Sequence, residues 1–360
     1  MILVIDCDLK QIKIRSFKEV HGSISASDHV KDMEEVRSDA ALVKYIRDIA
    51  GRSRIRAVSF RILFGGDYFA GPAIIDSRFF TRFEKLTDLF PFYVPPISHM
   101  LKNFRAVFKD IPLIAFFETS FFLSLPDEEK YYAMPFKYSE DNKIKKWGFH
   151  GIFHSANADM LSVSSKGVSI VFDKQTTVCA VHNRKPLSVS LGYTPLEGVM
   201  SRTSCGDMDP GIVFYLMNVH NFSIYKIDEM LKNESGFVGL TGYNIGLNEM
   251  LKLRGKDAKV DLAFDIYRAQ IMKYIGEGIS VMGGLDDIIF SGSNVRLFTP
   301  IIYDVLKKIS FLGLTVDNLP WAKDKDIITA TSADSSIKTR INTMDLSDII
   351  FRNSLSFLKK

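Results

Sequence analysis

Apolar positions along the chain switch between two periods, and the switches mark its elements. Residues 1–5 form a short apolar run that ends at Asp6. Residues 10–17 alternate, with Ile12 and Ile14 on one side, as a hairpin partner would. Residues 36–49 change to helical spacing, with Ala41, Leu42, Tyr45, Ile46 and Ile49 along one face. A strand is predicted over 55–63, closed by Gly65 and Gly66. Helices follow over 78–89 and 97–108, then a buried strand over 113–117 that ends at Glu118. The same grammar returns in the second half. The pattern predicts a hairpin from 167–172 and 176–181, an extended segment over 187–190, and a helix over 210–217 with Pro210 in its first turn. It then predicts helices over 224–231 and 260–281, a strand over 287–290, a helix over 299–311, a last strand over 327–331 and a closing helix over 344–358. Two halves that each run hairpin, then alternating helix and strand, predict an α/β chain of two domains with mixed sheets. The duplication rests on element order, since no repeated sequence accompanies it. The long 260–281 segment carries Leu262, Phe264, Ile266, Ile271, Tyr274 and Ile275, a stripe that suits either the core of its own lobe or a subunit contact.

Length and composition narrow the class. At 360 residues the chain exceeds one ordinary core, which again favours two domains. The 46% apolar and 24% charged fractions are those of a soluble globular protein, and the 28 phenylalanines read as core filling. A net charge of +4 without long basic runs argues against a nucleic-acid partner. The apolar start is too short for a signal peptide, and no stretch of about 18 uninterrupted apolar residues could span a membrane. Three scattered cysteines, Cys7, Cys179 and Cys205, fit free thiols in a reducing, cytoplasmic compartment better than a disulfide framework. They show no zinc-ligand spacing.

Specific motifs go further. Leu191-Gly-Tyr-Thr-Pro-Leu-Glu-Gly198 is followed by Gly206-Asp-Met-Asp-Pro210. Upstream stand Phe60-Arg-Ile-Leu-Phe-Gly-Gly66, Leu89-Phe-Pro-Phe-Tyr-Val-Pro95, Ile111-Pro-Leu-Ile-Ala-Phe-Phe-Glu-Thr-Ser-Phe121 and Trp147-Gly-Phe-His-Gly151. Ser235-Gly-Phe-Val-Gly-Leu-Thr-Gly242 and Met282-Gly-Gly-Leu-Asp-Asp-Ile-Ile-Phe-Ser-Gly292 come later. In this order the blocks resemble the acetate kinase family over nearly the whole chain. The resemblance implies a two-lobed actin-like ATPase fold of the acetate and sugar kinase superfamily, duplicated as in ribonuclease-H-like proteins, with a nucleotide cleft between lobes. It implies lobes of 1–120 plus 335–360 and of 121–334, the second on the nucleotide side and forming a homodimer. The implied reaction moves the γ-phosphoryl of ATP, with Mg²⁺, onto acetate or propionate to give an acyl phosphate. That chemistry demands cations and donors around a spread-out transition-state charge.

Carried over residue by residue, the resemblance makes Arg61 the substrate and phosphoryl arginine, Glu118 the replacement for a catalytic aspartate, and His150 the phosphoryl-contacting histidine, with His154 structural. Leu63, Phe92, Phe149 and Pro195 would line an acyl pocket. Asp6 would hold Mg²⁺, or is an ordinary strand-end acid. Several positions depart from the family. Its N-x-G-S-S-S loop is Asp6-Cys-Asp-Leu-Lys-Gln11 here, without the glycine and hydroxyls that approach phosphate. Its H-L-G-N-G loop is Val171-Phe-Asp-Lys-Gln175, leaving only Lys174 as a cation. Its second arginine falls on Ser204, with Arg202 two residues earlier as a possible substitute. Its adenosine loop keeps Gly292 and continues Ser293-Asn294, and its metal-linked acid falls on Ala333, with Asp334 adjacent. These departures predict catalysis that is lost or altered. A working kinase for a short carboxylate, using ATP or another phosphoryl donor, stands as the alternative.

Overall fold

The computed structural model describes residues 1–7, 11–20, 23–36, 38–316, 325–332 and 334–359. Asp8, Leu9, Lys10 and Ala333, all named above, lie outside the described residues. Two compact units result, Met1–Leu123 with Asp345–Lys360, and Ser124–Met344.

The first unit is built on a six-stranded sheet. Its strands are β1 (Ile2–Cys7), β2 (Gln11–Val20), β3 (Ser23–Asp32), β4 (Ala57–Ile62), β5 (Ala73–Ile74) and β6 (Leu113–Phe117), in the order β3-β2-β1-β4-β6-β5. β1 is antiparallel to β2 and parallel to β4, and β4 is parallel to β6. The three parallel strands are almost wholly apolar because both their faces are covered. Helix Leu346–Phe357 closes the unit by packing on β1 and β4. It buries Leu346, Ile349, Ile350 and Phe351, and its Ser354 hydroxyl lies 2.7 Å from that of Ser59. Helix Asp39–Ala50 starts on Ser38, whose side chain accepts from the Ala41 amide, and buries Leu42, Ile46 and Ile49.

The second unit repeats a six-stranded mixed sheet. Its strands are β7 (Lys166–Phe172), β8 (Thr176–His182), β9 (Lys185–Val189), β10 (Asp287–Ser291), β11 (Ile327–Thr329) and β12 (Lys338–Asn342), ordered β11-β12-β10-β7-β8-β9. Alternation along β7 and β8 sorts the two faces. Val168, Val178 and Ala180 belong to the core cluster of the 25-residue helix Ala258–Met282. Ser169 and Thr177 point the other way, to helix Gly151–Asp159. The long helix is capped by Asp257, which accepts from Lys259 and Val260, and ends in left-handed Gly283. Its Phe264, Ile271, Tyr274 and Ile275 are buried in this unit's own core, whereas Leu262 is exposed.

Three expectations change. Ser23–Asp32 is a full strand that the pattern did not announce, because nearly every side chain on it is exposed. Strand 327–331 is not the last: it stops at Thr329, and Lys338–Asn342 follows, paired with β10 and β11. That pairing holds residues up to Met344 in the second unit.

Candidate functional site

Three parallel strands deliver the first group of side chains. Register pairs Asp6 of β1 with Arg61 of β4, and the Glu118 amide donates to the Ile62 carbonyl at 2.9 Å. Asp6, Arg61 and Glu118 therefore stand together at the carboxyl ends of adjacent strands, where open α/β sheets carry their chemistry. The Arg61 Nε–H donates to Glu118 Oε1 at 2.5 Å. Its Nη1 donates to both Asp6 oxygens at 3.2 and 3.3 Å. Glu118 is fully buried and the Arg61 side chain 19% exposed, so this charge-assisted pairing is only weakly screened by water. Nearby, the Leu63 amide donates to the Tyr93 hydroxyl at 2.7 Å, while Phe92 is 89% exposed.

The second unit holds the two histidines. His150 precedes helix Gly151–Asp159 with a left-handed φ of 60° and is almost buried. Its Nδ1 lies 3.2 Å from the Thr177 hydroxyl. One turn on, His154 is completely buried, with Nδ1 2.7 Å from Ser169 Oγ and Nε2 2.8 Å from the same Thr177 hydroxyl. Burial, and then the neighbouring His150, hold the His154 pKa well below its usual value, so its ring stays neutral. Thr177 thus ties both histidines to β8. Sequence reasoning missed it because a threonine inside an apolar strand gives no signal. Phe149 is buried and Pro195 half-buried in this unit.

A cavity of about 430 Å³ also lies within the second unit. Met200, Phe237, Met250 and Tyr267 give it apolar walls, and Lys174, Arg202 and Asn294 stand at its edge. Lys174 sits in the three-residue turn of the β7–β8 hairpin, whose last pair is Phe172 with Thr176. Arg202 is exposed and its Nη1 donates to Asn244 Oδ1 at 2.7 Å. Ser204 instead is buried, with its hydroxyl 2.7 Å from Ser201 Oγ. Gly292 has φ 116°, and a Cβ there would lie 2.1 Å from the Phe172 carbonyl oxygen. Ser293 and Asp334 are exposed.

The motif between residues 191 and 207 is held by its acids. The Gly198 amide donates to Asp207 Oδ1 at 2.7 Å, and the Tyr274 hydroxyl to Oδ2 at 2.6 Å. The Tyr132 hydroxyl donates to Glu197, and Lys146 pairs with Glu129 at 2.9 Å and Glu197 at 3.6 Å. Burial, then the Glu197 hydrogen bond, push the Tyr132 hydroxyl far above its usual pKa, so it remains a donor.

The lining joins apolar walls to two cations, an amide and the acid Asp173, a net single positive charge that suits an anion with an apolar part. A divalent ion fits less well. Among the described residues no cluster of three or more acidic, His or Cys side chains forms, and Asp6 already shares both oxygens with Arg61. No helix among them is long and apolar enough to cross a membrane.

A model of the acetokinase family matches residues 5–348. The acetate kinase of Clostridium novyi is 30% identical over 319 residues, 86% of this chain and 79% of that protein. The acetate kinase of Acetivibrio thermocellus is 30% identical over 322 residues, 86% and 80% of the two chains. Among solved structures, an acetate kinase of Porphyromonas gingivalis superposes with a TM-score of 0.89 at 23% identity, covering 99% of each chain. A propionate kinase of Francisella tularensis does so at 0.84 and 21%, covering 97% of each. At these identities the structural likenesses speak for the fold alone, the α/β fold of those acetate and propionate kinases.

Proposed function

This chain belongs to the acetokinase family, and from that premise we propose that it keeps a nucleotide pocket while phosphoryl transfer from ATP to acetate or propionate is lost or altered. The observation that carries the reading is the engagement of Arg61 by Glu118 and Asp6. A substrate carboxylate or a developing phosphoryl charge needs an arginine whose donors face it. Here two carboxylates already accept from Nε and Nη1. The other electropositive groups are thinned too. Ser204, at the second arginine's position, is spent on Ser201, and the β7–β8 turn offers Lys174 alone. Removing one transition-state donor costs on the order of 3 kcal/mol of barrier, and several such losses compound, though not additively. ATP, when bound, supplies the phosphoryl group. Lys174 and Arg202 would hold its charge and the apolar walls its base.

A second reading, an active short-chain carboxylate kinase with ATP or another donor, draws support from the Arg202 guanidinium at the cavity's edge. Thermal unfolding with Mg-ATP, ADP, GTP and pyrophosphate separates ligand binding from chemistry, since a ligand at 100 times its Kd stabilises by about 2.7 kcal/mol. A hydroxamate assay with acetate, propionate and butyrate then reads acyl phosphate. We expect stabilisation by ATP with little or no acyl phosphate. Turnover at an ordinary kinase rate would overturn the reading.

We also propose a homodimer through helices Gly211–His220 and Ile224–Asn233. The first is apolar nearly all round yet buries no residue in the unit, with Phe214 62% and Val219 58% exposed. Such a helix needs a partner surface. Free thiols at Cys179 and Cys205 suit a cytoplasmic protein.

A further inference from the structure

The first unit holds a cavity of its own, about 400 Å³, at the end of the sheet where β1 begins. Register sets it apart from the Arg61 group. Ile2, in its wall, pairs with Ala57, whereas Asp6 pairs with Arg61. Four residues of strand separate the two places, about 13 Å.

The cavity is amphipathic. Phe17 of β2 stacks on Phe351 of the closing helix with ring centroids 4.2 Å apart. Leu355 and Ile24 extend that wall, and Ile24 is left 55% exposed. Lys18, Arg56 and the Met1 amino terminus also line the cavity, the last donating to the Arg54 carbonyl at 2.9 Å, with Glu19 as the single acid. Some cations of this unit are paired: Arg15 with Asp28, Asp345 and Asp348, Lys102 with Glu84, Arg61 with Asp6 and Glu118. Neither Lys18 nor Arg56 has a side-chain hydrogen bond or ion pair among the described residues. Two cations without partners therefore border an apolar wall whose isoleucine meets water. A volume near 400 Å³ falls within the roughly 300–1,000 Å³ of small-molecule sites.

We propose that this cavity binds an aliphatic monocarboxylate, its chain against Phe17, Phe351, Ile24 and Leu355 and its carboxylate on Arg56 and Lys18. A guanidinium matches a carboxylate with two parallel hydrogen bonds. With the Met1 ammonium counted beside Lys18, Arg56 and Glu19 the rim carries two net positive charges, so charge draws an anion and the apolar wall selects one with an aliphatic chain over inorganic phosphate. Each methylene buried against the wall strengthens binding about fourfold. The inference is independent of whether the chain is an active kinase.

Isothermal titration of the full chain with butanoate, hexanoate and octanoate tests it, with octanol and inorganic phosphate as comparison ligands. We expect affinity to rise from butanoate to octanoate, octanoate to exceed octanol, and phosphate not to compete. The double variant Arg56→Gln, Lys18→Gln should weaken octanoate at least about tenfold, as should Ile24→Asp, which places a carboxylate beside the chain. All three positions are solvent-accessible, so circular dichroism should match the parent protein. Absence of octanoate binding, affinity that ignores chain length, or binding that survives the double variant would overturn the proposal.

Discussion

Shortening Glu118 to aspartate isolates the contact on which the functional reading rests. The substitution removes one methylene, about 1.5 Å of reach. The 2.5 Å contact to Arg61 Nε then opens to about 4 Å, beyond hydrogen-bond range. A hydrogen bond between charged groups contributes about 1.5–3 kcal/mol. Arg61 keeps its two bonds to Asp6 and is 19% exposed, so part of the loss is recovered by water. The expected destabilisation is therefore about 2 kcal/mol, below the 3–5 kcal/mol typical of an orphaned buried charge. In a unit of this size that lowers the unfolding temperature by roughly 5 °C. The same change frees the Nε–H for an external anion. Acetate or phosphate should then raise the unfolding temperature of Glu118→Asp by more than it raises that of the parent chain. Glu118→Gln separates charge from reach, because it keeps an acceptor of the original length and should respond to anions less than the aspartate variant. Differential scanning fluorimetry over a series of anion concentrations reads all three proteins. Unchanged stability in Glu118→Asp, together with an anion response equal to that of the parent, would refute the claim that Glu118 holds Arg61.

Four further outcomes follow from the geometry. His154 stays neutral in the folded state while the unfolded chain protonates near pH 6.5, so stability falls as pH drops through that value. The limiting slope from this one site is about 1.4 kcal/mol per pH unit, and urea titrations of the parent and His154→Gln should differ by that slope. Gly292→Ala forces a Cβ to 2.1 Å from a carbonyl oxygen at φ 116° and should cost more than about 3 kcal/mol. Gly71→Ala, where nothing lies within 4 Å, is the comparison for it in the same denaturation assay. Arg202→Ala should weaken ATP roughly tenfold in a binding titration and leave the unfolding temperature unaltered, since the arginine is exposed and bonded to Asn244. Phe214→Asp should convert a dimer to a monomer in sedimentation without loss of helix content, because Phe214 is 62% exposed within its own unit.

The sequence announces elements best where one physical demand dominates. Residues 1–5, 55–63 and 113–117 read as strands because parallel strands buried on both faces must be apolar throughout. Ser23–Asp32 escapes notice for the opposite reason. It is an edge strand paired to β2 alone, with nearly all side chains exposed, and burial imposes no period on it. Lys338–Asn342 is hidden by its letters. Thr339 and Asn342 are fully buried, but Asn342 is satisfied by Asn157, a partner 185 residues away that local reading cannot supply. The site behaves likewise. Asp6, Arg61 and Glu118 each stand out as a charge at or just past an apolar strand, yet their bonding to one another depends on register between strands about fifty residues apart. The walls of the larger cavity, Phe237, Met250 and Tyr267, come from three separate helices and look like core residues in sequence.

The retained motifs carry less about activity than their specificity suggests, because the backbone needs them on its own account. Gly198 and Gly206 adopt φ of 101° and 70°, and a Cβ on either would lie 2.6 Å from a carbonyl oxygen. Asp207 holds the Gly198 amide and the Tyr274 hydroxyl, and Glu197 holds Tyr132. Gly292 lets its loop pass over the Phe172 carbonyl. Each position would be kept by folding alone, whether or not phosphate ever approaches. Residues whose only task is to face an anion feel no such pressure, and on the proposed reading Ser204 and the glycine-free turn at 173–175 are such places. The proposed loss or change of phosphoryl transfer therefore predicts departures at positions that folding does not protect and retention at positions that it does. Arg61 fits this account once its partners are counted, since an arginine joining β1 to β6 through Asp6 and Glu118 earns its place as a structural cation.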